Sequence, residues 1–283
     1  MIRIAIQNKG RLNEESMDLL QQIGICVDRR SRKYLSTALN YPVEILYLRD
    51  DDIPQVVADG STQLGIVGLN VLRELNADVD IVAKLGFGAC RLSLAIPKSV
   101  QYTGLQYFQG KRIATSYPSI LKDYLEQNGI QSEILMINGS VEITPQAGMA
   151  DAIFDIVSSG GTLIANGLKE VERVLESEAV LVANRNLSAD ERDILDELLF
   201  RIRSVEVSRD KKYLLMNIPT DRVEDAIRIL PAMRSPTVLP LIAEGWSSLH
   251  SVVDTSRLWE KVKQLKEIGA EGILVLSVDK IIP

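Results

Sequence analysis

Residues 151–175 read DAIFDIVSSGGTLIANGLKEVERVL, and the order of residue types in this stretch decides the architecture. A short apolar run delivers Asp155 to its end. Ser158, Ser159, Gly160, Gly161 and Thr162 follow as a loop of small residues, and a helix is expected to begin there. Backbone N–H groups at a helix N-terminus, left open by glycine and joined by hydroxyls, form a cradle for a phosphate. A carboxylate just ahead of such a loop can take ribose hydroxyls or a Mg²⁺ bound to phosphates. The stretch suits a phosphorylated sugar, while composition alone leaves open an ordinary turn capped by Ser or Thr.

Outward from this unit, short apolar runs alternate with amphipathic stretches of helical length, the pattern of α/β layers around a mainly parallel sheet. Strands are expected at 2–6, 43–48, 64–67, 112–115 and 134–137. Helices are expected from 13 or 14 to 23 with Gly24 as stop, after Asp50, Asp51 and Asp52 at Pro54, and at 118–127 with Gly129 as stop. ADGSTQLGIVG (58–68) and QAGMADAIFDIV (146–157) echo each other, each placing a helix end, a turn and a buried strand. Two similar lobes with a cleft between them would explain the echo.

From residue 208 the pattern changes to strand 213–218, helix 221–230, strands 238–243 and 249–253, helix 257–268 and strand 273–278. That order, β-α-β-β-α-β, is the ferredoxin-like unit, and the helical stretch 189–203 would connect it to the rest. Pro236 and Pro240, near its ends, make its second strand an edge strand or an interrupted one.

Composition narrows the chemistry. The 283 residues carry a net charge of −6, without the interleaved basic and aromatic stripe of a nucleic-acid binder. No run approaches the ~20 apolar residues of a membrane span, and the N-terminus lacks the features of a signal peptide, so a cytoplasmic protein is expected. Cys26 and Cys90 form no spaced set for a disulfide framework or zinc site. With His250 the only histidine, the chemistry should need little imidazole.

Two familiar phosphate motifs fail on spacing. Between Gly104 and Gly110–Lys111 lie five residues where a P-loop has four, and Arg112 replaces its Ser or Thr. Gly86 and Gly88 are followed by Arg91 where the dinucleotide motif has a third glycine. Other strand ends are better placed for anions. Lys9 and Arg11 lie between the first strand and its helix, Arg49 and Asp50 at the next strand end, and Ser116 and Tyr117 before Pro118. The cluster Arg29, Arg30, Arg32, Lys33 reads as a solvated loop.

Seven segments add a further observation: QNKGRL (7–12), LRDDDIP (48–54), LGIVGLNVL (64–72), FGACRLSLAIP (87–97), GKRIATSYP (110–118), NGSVEITPQAGMADAIFDIVSSGGTLIANGL (138–168) and PTVLPL (236–241). Through them essentially the whole chain resembles the ATP phosphoribosyltransferases of histidine biosynthesis, in the long form with a C-terminal regulatory domain. Leu69 departs from a common acidic residue and Gly86 from a frequent aspartate.

The resemblance implies an α/β fold with a two-lobed, periplasmic-binding-protein-like catalytic region and a cleft, followed by the ferredoxin-like regulatory domain. Its expected limits are 1–96 plus about 177–206 for the nucleotide lobe, 97–176 for the phosphoribosyl pyrophosphate lobe and 207–283 for the regulatory domain. It implies that adenine N1 of ATP attacks 5-phosphoribosyl 1-pyrophosphate, releasing pyrophosphate, with Mg²⁺ as cofactor. Asp151 and Asp155 would hold the ribose or its Mg²⁺, with Asp155 the candidate metal ligand, and Ser158 to Thr162 the 5-phosphate. Lys9, Arg11, Arg49, Asp50, Asn70 and Cys90 would serve the ATP side, Lys9 and Arg11 also acting in catalysis, with Ser116 and Tyr117 near the shared phosphates. Thr237 and Leu239 would bind histidine as feedback inhibitor, with AMP as a further effector and dimers building hexamers.

Two rival readings stay open. A solute-binding module fits two lobes joined by crossing segments, though not the missing signal peptide. A phosphoribosyltransferase acting on another nitrogen base fits the same composition.

Overall fold

The apolar runs at 2–7, 43–48 and 64–68 assemble into one parallel core, each being five or six residues long and so too short for an amphipathic helix. The structure, a computed structural model, describes residues 1–27, 34–230 and 236–282. The basic cluster Arg29, Arg30, Arg32, Lys33 lies outside the described residues. In chain order the first half gives β1 (Ile2–Gln7), α1 (Arg11–Gln22), β2 (Leu35–Thr37), β3 (Val43–Leu48), α2 (Ile53–Ala58), β4 (Leu64–Gly68), α3 (Leu69–Leu75) and β5 (Asp80–Lys84). There follow β6 (Cys90–Pro97), β7 (Arg112–Thr115), α4 (Pro118–Gln127), β8 (Glu133–Met136), β9 (Ala152–Val157), α5 (Gly161–Ala165), β10 (Leu168–Ser177) and β11 (Ala179–Ala183).

These strands form two sheets, ordered β2-β3-β1-β4-β11-β5 and β10-β6-β9-β7-β8. In the first, β3, β1 and β4 are parallel and β11 runs antiparallel beside β4. In the second, β8, β7 and β9 are parallel and β6 runs antiparallel beside β9. The two sheets repeat one plan, and the echoing sequences end in β4 and β9, which occupy equivalent places. Each sheet takes its antiparallel neighbour from the chain just after a passage from the other sheet, the arrangement of two-lobed binding folds.

The passages lie at 85–89 and 177–178 and pair with each other: Leu85 N donates to Ala179 O at 3.0 Å and Ala179 N to Phe87 O at 2.9 Å. All of β6 belongs to the second sheet, so the chain leaves the first sheet ahead of residue 96, where the sequence had the limit of its lobe. The reason is the register from Arg91↔Val157 to Ala95↔Ile153, which commits Cys90–Pro97 to β9 from its start.

Two other elements differ from expectation. The helix after the small-residue loop is only Gly161–Ala165, stopped by Asn166 and by Gly167 at φ 66°. The helix-favouring sequence LKEVERVLES that follows is strand β10, held by its antiparallel pairing to β6 with two register shifts. Tertiary pairing overrides local propensity there.

The chain forms two compact units that divide at residues 196/197, inside helix α6 (Ala189–Ser208). The second unit contains β12 (Lys211–Pro219), α7 (Val223–Ile229), β13 (Thr237–Pro240), β14 (Trp246–Asp254), α8 (Leu258–Glu267) and β15 (Glu271–Ser277). Its sheet order β13-β14-β12-β15 with antiparallel pairings is the ferredoxin-like topology the sequence order called for. Leu214, Met216, Ile218, Leu249 and Val253 pack with Ala226 and Leu265 of its two helices. β13 is an edge strand and stops at Pro240, short of the expected residue 243, because residues 241–245 turn into β14, with Leu241 N donating to Trp246 O at 3.0 Å and Trp246 N to Ala243 O at 3.2 Å.

In the first sheet, β4 approaches α2 closely only because residue 65 is glycine. A Cβ there would lie 2.7 Å from Ile53 Cγ2 and 2.9 Å from Val57 Cγ2, both on fully buried side chains. Gly65→Ala should therefore cost about 1–3 kcal/mol of stability through overpacking. Calorimetric unfolding would read this as a lowered transition temperature.

Candidate active site

Parallel strands present their carboxyl ends, and the loops that follow them, along one edge of a sheet, where helix starts and free backbone N–H groups gather. In the first sheet that edge carries Lys9 and Arg11 after β1, Arg49 and Asp50 after β3, and Asn70 after β4. In the second it carries Ser116 and Tyr117 after β7, and Ser158 to Thr162 after β9. Cys90 joins them because β6 is antiparallel and begins where β9 ends.

The groups from the two sheets meet around Asn70 and Tyr117. Asn70 is 4 % exposed, and its Nδ2 donates to Tyr117 Oη at 3.0 Å. The Ser177 hydroxyl holds the amide from both ends: Asn70 N donates to Ser177 Oγ at 3.0 Å, and that hydroxyl donates to Asn70 Oδ1 at 2.8 Å. With its oxygen accepting from Asn70, Tyr117 keeps its own O–H for a ligand. Burial pushes the phenol pKa well up, assisted by nearby Asp155, Asp50 and Cys90 against the Asn70 hydrogen bond, so Tyr117 remains a neutral donor. A second tie joins the same elements. Glu74 of α3 accepts from Ser119 N and Ile120 N at 2.8 and 3.0 Å, capping α4, whose own N-cap residue makes no side-chain bond.

Asp155 lies one turn of the pleat before the cradle. Burial raises its pKa, opposed by the hydrogen bond from Ile156 N at 2.8 Å and assisted by the Glu142 carboxylate. Cys90 has its pKa pushed up by burial, against the Ser177 hydroxyl and the positive charge of Arg11. Arg11 also reaches the passage strand, with Nη2 at 3.5 Å from Ala89 O. A cavity of about 480 Å³ opens here, its lining including Leu69, Cys90, Arg91, Ser158 and Ser177.

The cradle is a loop more than a helix terminus. Gly160 adopts φ 80°, a left-handed turn that ordinary side chains resist, and Gly161 N lies 3.4 Å from Ser159 Oγ. Ser158, Ser159, Gly161 and Thr162 are all exposed. With only five residues in α5, the donors this segment offers are successive loop N–H groups and not a helix dipole.

Asp151 is not brought to this site. It precedes β9, at the opposite edge of the sheet, where it accepts from Arg112 N at 2.9 Å and faces Lys111 Nζ at 3.5 Å. Strand polarity makes the difference, because the six residues of β9 span roughly 20 Å. Asp151, expected beside Asp155 at the ribose or its metal, thus lies apart from Asp155 and the small-residue loop. Three acidic and polar partners went unread in the sequence: Glu142, Glu170 and Ser177. The roles of Glu170 and Ser177 depend on β6–β10 register and on the passage between lobes, and that of Glu142 on how the turn at 141–143 folds back toward β9, none of which leaves a local signal.

In the second unit, Thr237 and Leu239 of β13 pair with His250 and Ser248 of β14 and share their face. His250 contacts Tyr213 Oη at 2.8 Å through Nδ1 and Ser248 Oγ at 3.1 Å through Nε2. The sequence singled out neither Tyr213 nor Ser248.

A two-lobed α/β fold whose sheet edges bring together cations, a half-buried carboxylate and a loop of small residues is the architecture of proteins that hold small ligands between lobes. Comparison with known proteins narrows this. Residues 49–204 match the family model "ATP phosphoribosyltransferase" and residues 208–280 the model of that family's C-terminal domain. The ATP phosphoribosyltransferase of Phocaeicola vulgatus is 57% identical over 282 residues, covering 100% of both chains. The chain belongs to the ATP phosphoribosyltransferase family, in its long form, which acts at the first step of histidine biosynthesis. Among solved structures, an ATP phosphoribosyl transferase complex (HisG:HisZ) from Thermotoga maritima matches at TM-score 0.62 and 28% identity, over 72% of this chain and 96% of that one. A periplasmic sulfonate-binding protein from Methylobacillus flagellatus, at TM-score 0.51 and 17% identity over 80% of this chain and 72% of that one, shares the fold.

The raised pKa of Asp155 has a stability consequence. An acid whose folded pKa exceeds its unfolded value stabilises the fold below the unfolded pKa and loses that contribution as pH rises through the folded one. Asp155→Asn should therefore raise the unfolding temperature of the ligand-free protein at pH 7, with the gain shrinking as pH falls toward about 4. A gain of equal size at both pH values would show that Asp155 is not desolvated.

Proposed function

We propose that the chain condenses ATP, through adenine N1, with 5-phosphoribosyl 1-pyrophosphate, the second lobe holding the donor and the first lobe the nucleotide. The observation that carries this assignment is the convergence of Asp155, Tyr117 and the Ser158–Thr162 loop from one sheet on Arg11, Asp50 and Asn70 from the other.

Adenine N1 already carries a lone pair, so the reaction needs no strong base to create its nucleophile. This accords with a cleft whose neutral phenol, carboxylates and guanidinium groups include no imidazole. The transition state has oxocarbenium character with pyrophosphate departing, and catalysis falls to positioning and to placed charge. The loop N–H groups and hydroxyls of Ser158, Ser159, Gly160, Gly161 and Thr162 would bind the 5-phosphate. The Asp155 carboxylate would face the ribose hydroxyls and the cationic sugar, and its desolvated charge acts there more strongly than in water. Lys9 and Arg11 would meet leaving-group charge, while Arg49, Asp50, Asn70, Cys90 and Ser116 line the nucleotide side. Tyr117 would donate its free O–H to substrate oxygen.

Among the described residues no group of three or more His, Cys, Asp or Glu side chains could hold a metal alone. Asp155 would hold Mg²⁺, which binds through one or two carboxylates and keeps its other positions for water and substrate phosphates, and the negative charge of Glu142 nearby favours a cation there. When bound, the ion supplies charge neutralisation on the pyrophosphate. Closure of the lobes about the paired passages would exclude water from the activated sugar.

In the second unit, Thr237 and Leu239 would bind histidine, with His250, Ser248 and Tyr213 on the same face. Inhibition from there requires histidine to favour one global state, through a change in assembly from dimer to hexamer or in conformation, and AMP would act alongside it. A cytoplasmic location accords with a biosynthetic enzyme in which no described helix is long and apolar enough to cross a membrane.

The test is adduct formation and pyrophosphate release from ATP, phosphoribosyl pyrophosphate and Mg²⁺, with and without histidine. Product suppressed by histidine is expected. Product without suppression would remove the role of the second unit, and no product with pyrophosphatase present would favour a binding protein or another base. Asp155→Ala should lower kcat/KM by about a hundredfold or more, and Thr162→Ala should raise KM for the donor about tenfold.

A further inference from the structure

Arg91 is the second residue of β6, and its guanidinium is shared between two acceptors. Nε and Nη2 donate to the two oxygens of Glu170 at 2.6 and 2.5 Å, and Nη1 donates to the carbonyl oxygen of Ser158 at 2.9 Å. Glu170 is itself held, because Ser93 Oγ donates to its Oε1 at 2.8 Å. The strand periodicity accounts for the meeting. Arg91, Ser93 and Ala95 alternate onto one face of β6, and Glu170 of β10 lies opposite Ala95 on that face. A forked, bidentate pair with a third ligand on the carboxylate fixes the guanidinium plane far better than an isolated surface pair would.

The contact to Ser158 matters because a peptide bond is planar and trans. The C=O of Ser158 and the N–H of Ser159 belong to one rigid unit and point in opposite directions. Fixing the carbonyl on Arg91 therefore fixes the Ser159 N–H facing away from Arg91, as the first donor of the cradle. The loop needs such an anchor. Its left-handed Gly160 is permissive, and the contact from Gly161 N to Ser159 Oγ is long at 3.4 Å. With its charge matched by Glu170, Arg91 is not a free cation for a phosphate.

We infer that Arg91, locked by Glu170, is a positioning residue for the phosphoribosyl donor: it orients the Ser158–Ser159 peptide so that the cradle is formed before the 5-phosphate arrives. The inference deepens the proposed function and depends on its assignment of the Ser158–Thr162 loop to that phosphate.

The experiment is steady-state kinetics on the full chain for Arg91→Lys, Glu170→Ala, Glu170→Gln and the double variant Arg91→Lys/Glu170→Ala, with thermal unfolding of each and Thr162→Ala alongside. Arg91→Lys and Glu170→Ala should each raise KM for phosphoribosyl pyrophosphate about tenfold, leave KM for ATP within about twofold and change kcat by less than about threefold. Glu170→Gln, which keeps one acceptor oxygen, should recover part of the loss. The double variant should be no worse than the worse single one, since both act through one peptide. If Arg91→Lys does not fold, the Glu170 pair carries the test alone. A lowered unfolding temperature with both KM values unchanged, equal rises in both KM values, a loss confined to kcat, or additive losses would each overturn the inference. Normal donor kinetics in Thr162→Ala would overturn the loop assignment and this inference with it. An impaired Thr162→Ala beside normal Arg91 and Glu170 variants would remove the positioning role alone.

Discussion

The paired passages at 85–89 and 177–178 are the constraint on which the catalytic half of the chain depends. Two backbone hydrogen bonds, between Leu85 and Ala179 and between Ala179 and Phe87, align the end of one sheet with the start of the other. Cys90, Arg91, Ser177 and Glu178 stand within a residue or two of them. Glu178 accepts from Gly86 N at 3.2 Å and meets Lys84 at 3.1 Å, adding side-chain ties at the same crossing. Because Ser177 then holds Asn70, and Asn70 holds Tyr117, the crossing sets the distance between the Asn70 amide of the first sheet and the Tyr117 phenol of the second.

The charges of the cleft are arranged in two kinds. Those that shape the protein are matched: Arg91 with Glu170, whose pKa is held low chiefly by that guanidinium, and Glu74 with the amides that open α4. Arg11, proposed for the leaving group, is paired with Glu15 at 3.5 Å, whereas Asp155, proposed for the sugar, is matched by no cation among the described residues. Asp155 is desolvated and repelled by Glu142, a cost that a cationic sugar or a magnesium ion would relieve. Stability is given up at the position where charge must act, as active sites commonly require.

Much of this was legible before any coordinates. The strands of both sheets' parallel cores and the helix Pro118–Gln127 followed from apolar periodicity and from Gly and Pro punctuation. The ferredoxin-like order followed from element lengths. The strand-end rule found Lys9, Arg11, Arg49, Asp50, Ser116, Tyr117 and the small-residue loop. What stayed hidden required knowledge of pairing. LKEVERVLES has a helix-favouring composition and is a strand because β6 lies beside it. Asp151 is near Asp155 in sequence but sits at the other end of β9, a separation that only strand direction reveals. Arg91 and Glu170, 79 positions apart, meet through register.

The exchange of strands between the sheets bears on how the protein is made. The first sheet needs β11, which fills the gap between β4 and β5, so it is incomplete until Ala183 has been synthesised. The second sheet is complete at Ser177, six residues earlier, and all five of its strands are contiguous in the chain from Cys90 onward. On a ribosome the later-coded lobe can therefore close first, while β1 to β5 wait with an unfilled slot between β4 and β5. Until β11 emerges, the open edge of β4 is a place where the nascent chain could mispair.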